Sequence, residues 1–464
     1  MRKPGKLRLL IALLMAFSLV AAACGDDDDT ATSDDDSGDD SGDSGDDGAT
    51  GGDLISCPTG VDAIEASEPG EAPPEEEVDK GENTGGDGVL DFGTLLPETG
   101  DLAFLGPPEF AGVDLAVQDI NAAGGVLDNE VTISHGDSGD TSTDLASQEA
   151  TRLINAGVDA IIGAASSGVS LTVIDQITGA GVIHFSPANT SPSFTTYDDN
   201  GLYFRTAPSD VLQGRVLSDL VLDDGFTSVA VMARDDDYGV NLLEAFEGFF
   251  TESGGDVVES LSYDPTAQNF DAEIDQVTGA NPEAIILIGF AESAQIITGL
   301  DEGGFGPNDV QIYGTDGNMG NSLAGNFDDA TVLTCMKGTI PLTELGDDFK
   351  DRLLGINGNL VDFSYAAESY DATVITALAA QIAGTDDGPA VAAEINGVTK
   401  DGEKCTTFED CKALIDAGTD IDYDGVGGPY EFIDAGEPGA AVFAIPQFDA
   451  AGAIAIPDYQ QAEL

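Results

Sequence analysis

The sequence predicts an α/β fold with two lobes, each built around a doubly wound parallel sheet. From Gly88 onward, short apolar segments of strand type alternate with longer segments whose apolar residues recur at helical spacing. Strands that alternate with helices pair in parallel, and the helices then cover both faces of the sheet. The alternation starts a second time after residue 207, and about 375 residues exceed one typical domain. Two lobes are therefore expected.

The first run of elements covers residues 89–186. Its strands are short apolar stretches, and its helices end in glycine, the residue that most often follows a helix C-terminus. In chain order the predicted elements are the strand VLDFGTLL, the helix PPEFAGVDLAVQDINAAGG, the strand VTISH, the helix TDLASQEATRLINAG, the strand VDAIIGA, the helix VSLTVIDQITGAG and the strand VIHFS.

The second run covers residues 209–315 and repeats the alternation. In chain order it contains the helix SDVLQGRVLSDLVLDDG, the strand SVAVMA, the helix YGVNLLEAFEGFFTESGG, the strand VVESLSY, the helix FDAEIDQVTGA, the strand PEAIILIG, the helix ESAQIITGLDEGG and the strand VQIYGT. Two such runs favour two separate sheets.

The segments that follow the predicted strands are rich in small and polar residues. They read LLPETGDLAFLG, GAASSG, FSPANTSP, ARDDDYG, GFAES and GTDGNMGN. In doubly wound sheets ligands bind beyond the carboxyl ends of the strands, so we expect these loops to face one cleft. In FSPANTSP (residues 185–192), two prolines stiffen a loop that carries hydroxyl and amide groups. Such a loop suits either a strand-to-helix turn or a receptor for a small polar molecule.

The first 24 residues resemble an export signal. A basic start is followed by the apolar stretch from Leu9 to Val20, which at about a dozen residues is too short to span a bilayer. The closing AAAC resembles the lipobox of bacterial lipoproteins, which implies cleavage before Cys24 and a lipid on its sulfur. Ordinary secretion with a free cysteine is the alternative.

Residues 25–88 are predicted to form an acidic, disordered tether. They consist mostly of Asp, Glu, Ser, Gly, Thr and Pro, which offer little to bury. The whole chain carries 87 acidic against 15 basic side chains and a formal net charge of −72. This balance argues against nucleic acid as a partner, because phosphate contacts need Lys and Arg.

Four cysteines remain if Cys24 carries lipid. An even number in an exported chain predicts disulfides, and four cysteines allow three pairings. Cys405 and Cys411 are near enough in sequence to close a local loop, which leaves Cys57 with Cys335 by elimination. The spacing matches no zinc site, and no metal or cofactor is expected.

Catalytic signatures are scarce in the sequence. His135 and His184 both fall in predicted apolar strands, where a structural role is expected. The segment GAASSG is not the GxSxG elbow of hydrolases, and neither a GxGxxG turn after a strand nor a Walker loop is present. A hydrolase or dehydrogenase on the same sheets is carried as an alternative class.

Residues 420–431, DIDYDGVGGPYE, match the spacing of an EF-hand calcium loop. That loop needs a helix leaving it and an apolar residue at its eighth position. Here Gly427 holds that position, Pro429 follows, and YEFI is predicted as a strand. The match therefore favours a solvated acidic turn, with a calcium-dependent surface module as the alternative.

Taken together, these motifs resemble the branched-chain amino-acid-binding proteins of ABC importers, which are type I periplasmic binding proteins. The resemblance rests on the order and spacing of FGTLLPETGDLAFLG, VDAIIGAASSG, HFSPANTSP, FRTAPSD, DDDYG and YGTDGNMGN, with a YxGxxGP turn that starts at Tyr423. It covers most of residues 89–464. It implies a receptor without catalytic activity.

The resemblance also implies that three crossovers join the two lobes, which close over one small molecule. We place the crossovers near Ala207, Gly338 and Asp434. Lobe 1 is then formed by residues 89–207 with 338–434, and lobe 2 by residues 208–337 with 435–464.

In this family the SPxxT loop holds the ligand's α-carboxylate. The resemblance implies that Ala188 contributes backbone groups and that Thr190 contributes its hydroxyl and N–H. Ser167, with Ser166 and Gly168, adds donors at the start of the next predicted helix, where the helix dipole favours an anion.

The α-ammonium group requires a carboxylate from the other lobe, and Asp316 matches the family's acidic position. Tyr238 and Phe290 match aromatic positions that line the cleft, and Leu105 falls where an aromatic often forms the pocket floor. Each of these three also suits ordinary core packing, and Asp316 also suits a helix cap.

One departure from the family leaves the ligand open. The cysteine pair of the first lobe is absent, with Ser138 to Asp140 and Ser166 in its place. The sequence thus predicts a monomeric, lipid-anchored, extracytoplasmic receptor that delivers an amino acid, with an apolar side chain of branched-chain type, to a membrane permease. A receptor for a short amide, urea or an aromatic acid is the alternative within binding proteins.

The lipid anchor is testable through Cys24. We expect Cys24→Ala to move the protein into the medium or the soluble fraction, because the acylated cysteine supplies its only membrane attachment. Immunoblots of membrane and soluble fractions measure the shift. Full membrane retention of the variant would contradict the lipoprotein assignment.

Overall fold

The structure is a computed structural model that describes Cys57 and residues 86–463. The predicted leader, Cys24 and nearly all of the tether lie outside the described residues. Within the described part of the chain, no helix is both long and apolar enough to cross a membrane.

The first five strands form one parallel sheet. They are β1 (Asp91–Leu95), β2 (Thr132–Ser134), β3 (Ala160–Gly163), β4 (Ile183–Ser186) and β5 (Tyr203–Arg205), and the helices between them are α1 (Gly106–Ala122), α2 (Leu145–Ala156) and α3 (Ser167–Thr178). The strand order is β2-β1-β3-β4-β5. The chain thus reverses its direction of travel between β1 and β3, which leaves a crevice beyond the carboxyl ends of these two strands.

A second, eight-stranded sheet repeats this plan. Its strands are β6 (Ser228–Arg234), β7 (Asp256–Tyr263), β8 (Ala284–Ile288), β9 (Gln311–Gly314), β10 (Lys337–Gly338), β11 (Ile340–Pro341), β15 (Ala440–Phe448) and β16 (Ile454–Glu463). Its helices are α4 (Asp210–Asp223), α5 (Gly239–Glu252), α6 (Asp271–Gly279), α7 (Ser293–Glu302) and the short α8 (Asn321–Ala324). The parallel part runs β7-β6-β8-β9-β10, with the reversal between β6 and β8. β15 joins antiparallel to β10, β11 and β16.

The segment between β11 and β15 packs on the first sheet. It contains α9 (Asp347–Ile356), α10 (Ala366–Ala383), α11 (Gly388–Val398) and α12 (Phe408–Asp416), with a small sheet of β12 (Glu403–Cys405), β13 (Ile421–Gly425) and β14 (Gly428–Pro429). α10 is buried from Ala366 to Ala380 on all faces. It shares one hydrophobic core with α1 and the first sheet.

The predicted fold class is confirmed: the protein is α/β, with two doubly wound parallel sheets. The chain passes from the first sheet to the second between Arg205 and Asp210, returns after Pro341, and passes again between Pro429 and Ala440. The exact limits of the two lobes stay a prediction.

Three local expectations were wrong. Tyr203–Arg205 forms a strand that the sequence did not suggest, because three residues are too few to show a period. The segment 430–433 is not a strand; only Phe432 makes an isolated bridge, to Pro438. His135 lies just beyond β2 with its side chain 39% exposed, and its Nε2 is 3.2 Å from Asp114, whereas His184 is buried within β4.

The acidic segment with calcium-loop spacing is occupied by a lysine. Lys404 Nζ lies 2.8 Å from Asp422 Oδ2 and 2.9 Å from Asp424 Oδ1, and β13 and β14 form a hairpin without a following helix. Among the described residues, no group of three or more His, Cys, Asp and Glu side chains is placed to hold a metal ion.

Two disulfides link the described cysteines. One joins Cys57 to Cys335 and the other joins Cys405 to Cys411. The first fastens Cys57, midway along the predicted tether, to the segment that leads into β10. The second closes the short turn between β12 and α12.

Candidate functional site

The loops at the carboxyl ends of both sheets surround one small buried cavity, which has a volume of about 10 Å³ open to the centre of a water-sized sphere. All eight predicted ligand residues line it: Leu105, Ser166, Ser167, Ala188, Thr190, Tyr238, Phe290 and Asp316. Four further lining residues were not predicted: Leu102, Ala165, Gly317 and Tyr365. The site lies where the strand order reverses in each sheet, as expected for doubly wound folds.

The loop after β4, residues 185–192, is held rigidly by its own side chains. Ser186 Oγ accepts the N–H groups of Ala188 (3.2 Å) and Asn189 (2.9 Å) and donates to the Ala164 carbonyl (2.7 Å). The Asn189 amide donates to the carbonyls of Ala164 (3.0 Å) and Ala165 (2.9 Å). These bonds fasten the loop to the connection between β3 and α3, so that both line the cavity together.

A buried ion pair supports the same loop from behind. Arg205, at the end of β5, pairs with Glu437, and both side chains are almost wholly buried. Arg205 Nε donates to Glu437 Oε2 (2.8 Å), while Nη1 donates to the carbonyls of Ser191 (2.8 Å) and Asn189 (3.2 Å). Thr195 also donates its hydroxyl to Glu437 (3.0 Å). Glu437 thus fixes the guanidinium that fixes the loop.

One wall of the cavity is formed by hydrogen-bond donors. Ser166 caps α3 by accepting the Val169 N–H, and Ser167 is the first residue of that helix. Ser167 Oγ accepts the N–H groups of Thr190 (3.4 Å) and Ser191 (3.3 Å). The hydroxyls of Ser166, Ser167 and Thr190 stand beside a helix N-terminus, where partial positive charge favours an anion.

Another wall presents a buried carboxylate. Asp316, which follows β9, accepts hydrogen bonds from Gln213 Nε2 (2.9 Å), the Tyr238 hydroxyl (2.8 Å) and the Tyr365 hydroxyl (2.8 Å). Burial raises the pKa of Asp316, and these three donors partly oppose the rise. A carboxylate buried in this way favours a cationic group at the site.

The remaining wall is apolar and aromatic. Tyr238 and Phe290 stack with ring centroids 5.1 Å apart, and the Arg234 guanidinium carbon lies 3.6 Å from the Phe290 centroid. Arg234 is itself held by Glu292 Oε1 (3.0 Å). A side chain on Gly317 would come within 2.5 Å of the Phe290 ring. The aromatic wall is therefore fixed on both sides of Phe290.

A larger, more open pocket of about 200 Å³ adjoins the cavity. The two share Phe290 and Gly317, and the outer pocket extends past Phe104 and Leu323 towards Asn326. Because this pocket lies beside the buried cavity, the side chain of a bound ligand would have room to extend into it.

Tyr365 is the site residue for which the sequence held no signal. It precedes α10 with a left-handed backbone (φ 58°), a conformation uncommon for residues other than glycine. No predicted strand ends near it, so the strand-end argument could not find it. Leu102 and Gly317, in contrast, lie inside the loops LLPETGDLAFLG and GTDGNMGN and were accessible to that argument.

Comparison with known proteins gives consistent results. A family model described as "Periplasmic binding protein" matches residues 90–453. The chain is 27% identical over 263 residues to "Leu/Ile/Val-binding protein homolog 3" of Brucella melitensis, which covers 54% of this chain and 71% of the relative. For "homolog 7" of Brucella abortus the match spans only 57% of the relative's length.

A further relative is the "chemotactic signal transduction system substrate-binding protein BasB" of Halobacterium salinarum. It is 26% identical over 358 residues, which cover 75% of this chain and 84% of the relative.

Two solved structures share the fold. The branched-chain amino acid transporter substrate binding protein LivJ of Streptococcus pneumoniae, in complex with isoleucine, superposes with a TM-score of 0.67 at 21% identity and covers 81% of this chain and 100% of that one. A solute binding protein of R. palustris, in complex with 4-hydroxybenzoate, also gives 0.67, at 15% identity, over 81% and 97% of the two chains.

The ion pair behind the loop can be tested through Glu437. We expect Glu437→Gln to lower the free energy of unfolding by about 3–5 kcal/mol, because it leaves the Arg205 charge buried without a counter-charge. Urea denaturation of the purified protein measures the loss.

The matched control is Asp416→Asn, which breaks the surface pair with Lys412 (2.8 Å). An exposed pair of this kind within one helix is worth about 0.5 kcal/mol or less. Equal losses in the two variants would show that Glu437 does not stabilise the fold through a buried charge pair.

Proposed function

The chain belongs to the periplasmic binding protein family, and from this premise we propose that it captures an amino acid with an apolar side chain and delivers it to an ABC importer. The single observation that carries the proposal is the pairing of two chemistries in one buried cavity. Hydroxyl and N–H donors at the start of α3 suit a carboxylate, and Asp316 suits an ammonium group.

A free amino acid carries both charges next to each other. When the cleft encloses it, each charge leaves water and needs a charged or charge-assisted partner. In our proposal Ser166, Ser167, Thr190 and the backbone of Ala188 bind the carboxylate. Asp316 binds the ammonium, with its oxygens oriented by Tyr238 and Tyr365. The ligand as a whole stays neutral, so the closed site gains no net charge.

The apolar lining supports an apolar side chain. Leu102, Leu105, Ala165 and Phe290 offer no hydrogen-bonding side chain to the cavity. Burial of a leucine-sized side chain stabilises a complex by about 1.5–3 kcal/mol. The Brucella relatives are named for Leu, Ile and Val, and the structural neighbour LivJ holds isoleucine.

Delivery to a permease requires an extracytoplasmic protein that stays near the membrane. In our proposal the acylated Cys24 provides the anchor. The acidic tether of residues 25–88, which the disulfide fastens to Cys335 at Cys57, gives the receptor reach through the part before Cys57 while it works as a monomer. The buried cavity must open to release its ligand, so the lobes are expected to separate about the three crossovers near Ala207, Gly338 and Asp434.

An aromatic acid is the second candidate ligand, favoured by the neighbour that holds 4-hydroxybenzoate. Such an acid has a carboxylate but no ammonium group, and so does not neutralise Asp316. The buried carboxylate therefore favours the amino acid over the aromatic acid, and it equally disfavours uncharged ligands such as urea or a short amide.

The Halobacterium relative supports a second candidate for the membrane partner. Its name places it in a chemotactic signalling system, and it matches this chain over a larger share than the Brucella relatives do. A signal transducer in place of a permease would use the same ligand-dependent closure.

Two substitutions test the ligand's charges. Thr190→Val removes one donor to the carboxylate, so the affinity for L-leucine is expected to fall roughly ten- to a hundredfold. Asp316→Asn removes the counter-charge of the ammonium inside the closed site, which is expected to cost about 3–5 kcal/mol, a few hundredfold or more in Kd. Isothermal titration calorimetry measures both, after a thermal-shift screen of amino acids, amides and aromatic acids.

Asp309→Asn is the matched control, because Asp309 is an exposed aspartate in the same half of the chain. We expect its affinity to equal that of the wild type. An aromatic acid should be indifferent to Asp316→Asn or bind better, since it lacks an ammonium group. Unchanged amino-acid affinity in Asp316→Asn would reject the amino-acid assignment even though the fold stands.

A further inference from the structure

Two glutamates lie buried behind the candidate site without a basic partner. Glu109 is in the first turn of α1 and fully buried, and Glu368 is in the first turn of α10 with 4% of its surface exposed. Both carboxyl oxygens of Glu109 and Oε2 of Glu368 lack a hydrogen-bond partner among the described residues. The two helices are in close contact, since a side chain on Gly112 would come within 2.2 Å of the Ala366 carbonyl oxygen.

The groups that act on this pair are acids and phenols. The charge of Glu368 raises the pKa of Glu109, Tyr365 and Tyr430, and the charge of Asp371 raises the pKa of Glu368. None of these groups is a base.

The other charged groups near the two helices are already engaged. Asp371 accepts the hydroxyls of Tyr423 (2.6 Å) and Tyr430 (2.7 Å) together with two backbone N–H groups. On the outer side of α1, Arg352 is paired with Asp119 (2.5 Å). In the part of the chain that the structure describes, neither glutamate has an ion-pair partner.

An ionised carboxylate buried without a partner is too costly, so the group takes up a proton instead. Burial raises the pKa of Glu109 well above its usual value, and the neighbouring Glu368 raises it further. Burial also raises the pKa of Glu368, to about 8. At neutral pH both carboxyl groups are therefore protonated and neutral.

Each glutamate is one helical turn from a residue that lines the cavity. The Glu109 N–H donates to the Leu105 carbonyl (3.2 Å), and the N–H of Ser369, next to Glu368, donates to the Tyr365 carbonyl (3.0 Å). Tyr365 in turn donates its hydroxyl to Asp316. A displacement of either helix end would therefore reach the cavity wall.

We propose that Glu109 and Glu368 are positioning residues of the ligand site: as neutral, protonated carboxyl groups they let the first turns of α1 and α10 pack closely and so keep Leu105 and Tyr365 in the cavity wall. Ionisation of Glu368 at alkaline pH places an unpaired charge in this buried contact and loosens the site. This role rests on the proposed ligand binding, and its structural part can be measured without ligand.

The direction of the pH effect follows from the proton count. Both glutamates hold protons in the folded state that the unfolded chain releases above its own pKa of about 4.5. The free energy of unfolding therefore falls as pH rises above about 4.5, and the share of Glu368 levels off above its folded-state pKa of about 8. Substitution of either residue by glutamine, which keeps a neutral hydrogen-bonding group, removes its share of the fall.

The test compares wild type, Glu109→Gln, Glu368→Gln and the double variant at pH 6 and pH 8.5. The melting temperature without ligand is expected to fall with pH in the wild type and to fall less in each variant, while Glu130→Gln, an exposed control between α1 and β2, follows the wild type. L-leucine affinity is expected to weaken about tenfold more with pH in the wild type than in Glu368→Gln. Because the wild type and Glu368→Gln are compared at the same pH, the titration of leucine itself affects both affinities equally.

A measurement on the wild type alone, with ¹³C in the side-chain carboxyl groups of glutamate, guards against variants that do not fold. The isotope shift separates the infrared band of protonated glutamates from that of Asp210, which is also buried without a partner among the described residues; the glutamate band is expected at pH 7 and should decline in part as pH passes about 8. Absence of the glutamate band at pH 7, or parallel melting curves in wild type and double variant, would overturn the proposal. So would stabilisation at high pH by sodium chloride but not by choline chloride, which would place a bound cation between the glutamates.

The positioning role and the proposed function fail in different ways. If the melting curves flatten while the pH dependence of leucine affinity stays as in the wild type, the pair does not position the site. If leucine binds neither to the wild type nor to any variant at any pH, the proposed function fails. The positioning role is then tested by the hydrogen-exchange rates of the Glu109 and Ser369 amides. Faster exchange at pH 8.5 than expected from solvent pH, in wild type but not in Glu368→Gln, supports it, and equal exchange in both contradicts it.

Discussion

The Arg205–Glu437 ion pair is the contact on which the candidate site depends most. Arg205 ends the first sheet just before the chain leaves it, and Glu437 precedes the last strands of the second sheet. The same guanidinium holds the carbonyls of Asn189 and Ser191. This buried pair therefore fixes the loop that lines the cavity. It also links that loop to two of the three crossovers between the sheets, so the same contact determines the shape of the site and the connection of the lobes.

The chemistry of the cavity follows from sheet topology. In each parallel sheet the strand order reverses once, and the loops on either side of the reversal diverge. The first sheet contributes Ser166 and Ser167 from the connection after β3, and the second contributes Tyr238 after β6 and Phe290 after β8. Donors from one sheet and a carboxylate with aromatic rings from the other thus meet, although no segment of the chain holds both.

Much of this arrangement could be predicted from the sequence, because its causes are local. Strand and helix periods, glycine stops and the polar loops after each strand are properties of short segments, and they located the loops that form the cavity. The resemblance to the binding-protein family then implied the eight predicted lining residues, among them Thr190 and Asp316. The segment after residue 315 was largely left unassigned. Its main helix, α10, is buried on every side, so it lacks the polar face that marks a helix in sequence.

The features that escaped prediction are those made by distant residues. Tyr365 enters the cavity through an unusual backbone conformation, and the partners Arg205 and Glu437, like Glu109 and Glu368, lie more than two hundred residues apart. Asp316 shows what such long-range contacts do. Three internal donors already surround it, so its dehydration occurs when the protein folds and not when a ligand arrives. Enthalpy from new hydrogen bonds to this carboxylate should then be small, and discrimination between cargoes should come from their net charge and their shape.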